Sequence, residues 1–124
     1  MAKVKRDGLM LGYWRITHMD QWDAAYVDSV VPGFFEFSPD GRGRFQFGTV
    51  SGDLDCRVKV SGGSIELAFT WEGQNDNDPG SGRGTAVLHG DEIRGHIFIH
   101  DSDDSAFTAT RSLPTASKRL HRSF

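Results

Sequence analysis

Apolar and polar residues alternate along most of this chain, and glycine or aspartate breaks the alternation at short, regular intervals. Successive side chains on a strand point to opposite faces, so a period of two marks a sheet with one buried face. The expected strands are 12–18, 32–38, 44–50, 54–60, 65–71, 84–89, 93–100 and 106–111. Leu54, Cys56, Val58 and Val60 alternate with Asp55, Arg57 and Lys59. Ile65, Leu67, Phe69 and Trp71 alternate with Glu66, Ala68 and Thr70. Pro39-Asp40-Gly41, Ser51-Gly52-Asp53, Ser61-Gly62-Gly63 and Gly90-Asp91 read as turns, residues 101–105 as a further turn and residues 72–82 as a polar loop. Connections this short force neighbouring strands into an antiparallel meander.

Eight strands of this kind can form a sandwich or a closed barrel. Closure removes both exposed edges, so the expected fold is all-β, an eight-stranded up-and-down antiparallel β-barrel. One short helix is expected between the first two strands, within Met19 to Val27, where Trp22 and Tyr26 stand four apart and share a face. At 124 residues the chain suffices for one domain, expected over 1–111. From 112 to 124 the alternation stops, and a basic, flexible C-terminal tail with Lys118, Arg119 and Arg122 is expected there.

The single cysteine, Cys56, rules out an internal disulfide framework and any metal site of several thiolates. Its place in the alternation predicts a buried, inert thiol, and a reducing cytoplasm is the expected compartment. Leu9-Met10-Leu11, after Lys3, Lys5 and Arg6, is too short for a secretory or membrane-spanning segment.

The first strand begins Gly12-Tyr13-Trp14 and the last ends in Arg111. This pairing resembles the calycin superfamily of lipocalins, fatty-acid-binding proteins and avidins. The resemblance implies a lipocalin-like barrel in which a basic residue of the final strand covers the strand-one tryptophan at the closed end. A guanidinium can do so through a cation–π contact with the exposed indole face. Gly12, Trp14 and Arg111 are the structural residues it implies, and it carries over no ligand-binding residue.

Antiparallel connections alternate between the two ends of such a barrel. One end is expected to receive segments 18–31, 50–53, 72–83 and 100–105, with Asp20, Asp23, Asp28, Asp53, Glu72, Asp76, Asp78, Asp101, Asp103 and Asp104 against the one cation Arg83. The other gathers Lys3, Lys5, Arg6, Arg42, Lys118, Arg119 and Arg122, diluted by Asp7, Asp40, Asp91 and Glu92. Carboxylates crowded within a Debye length of roughly 8 Å repel one another, and a cationic ligand, a metal ion or a basic protein surface would relieve the repulsion. The same Asp and Asn side chains also serve as turn formers through Asx hydrogen bonds.

The expected ligand-binding residues at this mouth are Trp22, Tyr26, Trp71, Glu72, Asp76, Asp78, His100, Asp101, Asp103 and Asp104. Phe35, Phe37, Phe45, Phe47, Phe69, Trp71 and Phe107 point inward, and their bulk predicts a narrow or filled interior. A long acyl chain fits poorly there, and a compact aromatic or amine-bearing ligand fits better.

The run Asn75-Asp76-Asn77-Asp78-Pro79-Gly80 fails the spacing of a calcium loop, so no metal or other cofactor is expected. The motifs of zinc proteases, serine hydrolases and phosphate-binding loops are missing too. His18, His96 and His100 with Asp101, Asp103 and Asp104 keep an acid–base enzyme as one alternative. The strands carry no basic face interleaved with aromatics, so no nucleic-acid partner is expected. The leading expectation is a non-catalytic protein whose acidic mouth recognises a small cationic or aromatic ligand. The second is an interaction domain, of inhibitor or immunity type, that binds a basic partner.

Overall fold

Strand β1 (Gly12–Met19) leads through a single-turn helix, α1 (Ala24–Val27), into β2 (Phe34–Phe37) and β3 (Arg42–Phe47). Then follow β4 (Val50–Ser61), β5 (Ser64–Asn75), β6 (Asp78–His89), β7 (Glu92–Ile99) and β8 (Asp104–Ser112). The computed structural model describes residues 8–113. Each strand pairs with the next, and β8 pairs antiparallel with β1, so the sheet closes into an eight-stranded up-and-down barrel. The tail expected over 112–124 starts later, because β8 runs through Ser112; its residues 114–124, like Lys3, Lys5 and Arg6, lie outside the described residues.

Aromatic rings fill the barrel. Phe35 sits at the centre, 4.5 Å from Phe107, 5.5 Å from Phe45 and 5.9 Å from Phe69 between ring centroids. Trp71 meets Phe45 edge-on at 5.0 Å. Such bulk fits because the facing strands present glycine. A Cβ on Gly84 would stand 2.4 Å from the Phe69 ring, and one on Gly52 would stand 2.7 Å from the Trp71 indole. The rings therefore pack against bare backbone, and they take up the centre of the barrel. Cys56 joins this core, and burial pushes its thiol up to about 11, helped by Asp55 and opposed by Arg57.

At the end where the described chain begins, Trp14 is fully buried and its indole N–H donates to the Met10 carbonyl at 3.0 Å. The Arg111 guanidinium stands 4.2 Å above the Trp14 ring and donates to the carbonyls of Leu9 and Leu11. Gly12, at φ +115°, turns the chain into β1.

Three local expectations are corrected. Residues 72–82 are not a loop: β5 and β6 continue as one long hairpin around Asp76 and Asn77, at φ 55° and 76°. Two adjacent residues with positive φ match the right-handed twist of paired strands, so a two-residue turn suffices. Residues 51–53 are not a turn, because β4 begins at Val50 after a reversal at Gly48 and Thr49. Gly52 is there to admit Trp71 and Phe45. The helix covers only Ala24–Val27, since β1 runs on through Met19.

Candidate functional site

The acidic end is closed by its own chain. Asp23 caps α1 by accepting the Tyr26 backbone N–H at 3.0 Å, and this cap sets the direction of the single turn. Trp22 then packs on Phe47 at 5.0 Å and beside Tyr26 at 6.1 Å. The Tyr26 hydroxyl lies 3.0 Å from that of Thr49 and accepts the Thr49 N–H at 3.2 Å. Gly48 passes directly beneath the tyrosine, where a Cβ would fall 2.3 Å from the ring. Together, Trp22, Tyr26 and Val27 form a lid.

Backbone hydrogen bonds tie the connections of this end into one rim. Gly48 N–H donates to the Val27 carbonyl, and Asp76 N–H donates to the Thr49 carbonyl. Asp20 N–H donates to the Ala106 carbonyl, and Gln21 N–H donates to the Ser105 hydroxyl. His100 N–H reaches the Ser81 carbonyl at 2.8 Å. The connections 20–33, 48–49, 76–77 and 100–103 therefore share one face of the molecule.

The carboxylates of the rim fall into two sets. In the first, Asp28 is held by Arg15 through two bonds of 3.1 Å and accepts the Gly33 N–H. Asp20 pairs with His18 at 3.0 Å, Asp104 with His96 at 2.5 Å and Asp101 with His100 at 3.3 Å. In the second set, Asp53, Glu72, Asp76, Asp78 and Asp103 form no ion pair among the described residues. Asp53 and Glu72 stand directly opposite each other on β4 and β5, an arrangement of like charges that costs stability. Arg83 gives them no ion pair: its guanidinium lies over the Phe98 ring at 4.7 Å.

The ten sequence-predicted site residues do not form one pocket. Trp22 and Tyr26 belong to the lid. Trp71 is interior, with its indole N–H donating to the Phe98 carbonyl at 3.1 Å. Asp76 occupies the hairpin tip with Asp78 just after it, and Asp103 and Asp104 lie at the start of β8. Glu72, His100 and Asp101 meet in a shallow hollow on the outer wall with Asp53 and Ser81, and the same three line a neighbouring hollow together with Trp71. A separate hollow of about 420 Å³ lies between β1 and α1, lined by buried Ile16, Met19 and Val27 and by exposed His18, Asp20, Asp23 and Asp28. Trp22 lines it too and is the one expected ligand-binding residue among its lining; the other seven were not expected to bind ligand. Nor were Thr70, Ser81, Arg83 and Phe98, although their outward parity on β5, β6 and β7 was the available signal.

Two of the three His–Asp pairs face bulk water, His18 being 67% and His100 73% exposed, and His96 is half-buried. Among the described residues, no three His, Cys, Asp or Glu side chains are grouped to hold a metal ion. No helix among them is long and apolar enough to cross a membrane. What the end offers is negative charge, displayed on a closed and hydrogen-bonded surface. No protein-family model, curated protein or solved structure matches the chain.

Proposed function

We propose that this protein is a non-catalytic binding barrel of the calycin type whose acidic end docks a basic protein surface. The observation that carries the reading is closure. With the interior filled by rings and the end covered by Trp22 and Tyr26, the carboxylates point to a partner outside the barrel. The calycin assignment is supported by the stacking of Arg111 on Trp14 behind Gly12. A reducing cytoplasm suits the buried free thiol of Cys56.

Titration with fluorescent polylysine tests the docking. Binding should weaken steeply with salt, and Glu72→Gln with Asp76→Asn should weaken it further. Asp40→Asn and Asp91→Asn, at the opposite end, should leave it unchanged. Equal losses from both ends would overturn the assignment.

The hollow between β1 and α1 supports a second reading, in which a compact amine with an apolar body sits on Ile16, Met19 and Val27. Thermal melts against a panel of amines test it, because a ligand specific for the folded state raises the midpoint. No shift with any amine would dispose of that reading.

A further inference from the structure

The outer wall of β4–β7 carries a feature that starts at the rim and runs down the strands. Cross-strand register sets outward side chains into three rows: Arg57–Ala68–Thr85–His96, Asp55–Thr70–Arg83–Phe98, and Asp53–Glu72–Ser81 with His100 beside Ser81. Between β4 and β7, small side chains (Ala68, Thr70, Ser81 and Thr85) form a floor. Larger ones stand on either side.

Arg83 would block this floor if it stood upright. Instead it leans onto the Phe98 ring at 4.7 Å, and His96 meets the same ring at 4.7 Å. The result is three adjoining hollows that share Thr70 and Arg83, and then Glu72, Ser81, His100 and Asp101, as one continuous groove. Each row lies two residues from the next, roughly 7 Å along a strand, so the floor runs about 14 Å, the length of about four extended residues.

We infer that this groove receives an extended basic segment of the partner, a deepening that rests on the docking reading above. Charge complementarity at the rim end selects the occupant, while Arg83 midway and Arg57 at the far end, the latter paired with Asp55, confine its basic residues to that end. Asp53 and Glu72 lie at one end of the groove with no ion pair among the described residues, and Asp101 stands beside them with only His100. Midway along, Phe98 exposes 37% of its surface and gives an apolar contact for an aromatic or aliphatic side chain. Lysine or arginine would sit over Asp53 and Glu72, with an apolar side chain against the part of Phe98 that Arg83 and His96 leave exposed. The barrel is closed, so no sheet edge is open to strand addition, and recognition runs through side chains.

The experiment uses the full chain and a short fluorescent peptide alternating lysine and tyrosine. The wild type should bind it. Thr70→Trp and Ser81→Trp, which fill the floor from the solvent side, should each weaken binding about tenfold or more, as expected when a central contact is blocked. Phe98→Ala should weaken binding too, and should cancel the benefit of tyrosine over alanine in the peptide. Circular dichroism unchanged from wild type would show the barrel intact. Wild-type affinity in both tryptophan variants overturns the groove. So does failure of the peptide to bind while polylysine still binds, and that result leaves the acidic-end reading standing. If neither probe binds, both fall.

Discussion

At the scale of single residues, backbone pairing of β8 with β1 closes the barrel and aromatic contacts made possible by a neighbour pack it. Arg111 covers Trp14 at 4.2 Å and donates to two carbonyls of the entering chain. Arg111→Ala removes the cation–π contact and both bonds, and should cost about 1–3 kcal/mol in a urea titration. A loss near zero would mean that the stack is incidental. Cys56 provides a pH test whose sign is fixed. Its thiol is pushed from 9.0 up to about 11, chiefly by burial, so the folded chain disfavours the thiolate. That contribution is complete below pH 9.0 and disappears as pH rises through about 11, because the unfolded chain ionises first. Urea midpoints of the wild type should fall more over that window than those of Cys56→Val. Parallel curves would contradict the assignment.

Elements show where alternation could be read and where it failed. The strands with bulky inward residues were legible: Leu54 to Val60 and Ile65 to Trp71 lie in β4 and β5 as their period of two required. The polar stretch 72–82 was not, because its inward positions are Gly73, Gly80 and Gly82, which carry no hydrophobic signal. Glycine at such a position looks like a turn in the sequence, yet in the barrel it makes room for Trp71. The helix was overextended for a related reason, since Met19 and Trp22 face the core from a strand end and a loop rather than from one helical face. Of the site, the charge and the shared end were readable from connectivity, whereas the lid and the outer groove depend on which side chains lean where. The lid gives this scale its test. Asp23→Ala removes the cap of a helix only one turn long and should cost about 1 kcal/mol. Trp22 should become more accessible to acrylamide quenching, while Trp14 and Trp71 stay protected. Unchanged quenching would mean that the lid holds without its cap.

For the whole molecule, the choice between filled and hollow decides whether a ligand could sit inside the barrel or only against its outside. Phe35 touches rings from β2, β3, β5 and β8 at once. Phe35→Ala should therefore cost about 3–5 kcal/mol and leave a dry, apolar cavity. Thermal melts should then show stabilisation by benzene in the variant and none in the wild type. Stabilisation of the wild type would reveal interior room and revive a ligand inside the barrel. The filled interior also links two faces that a hollow one would keep apart. The indole N–H of Trp71 passes over Gly82 to bond the carbonyl of Phe98, whose own ring stands in the outer groove. One peptide unit thus belongs to both the core and the outer wall. If a segment occupies the groove proposed above, pressure on that ring should reach the Trp71 bond, and a change in tryptophan emission on peptide binding would report it without a label.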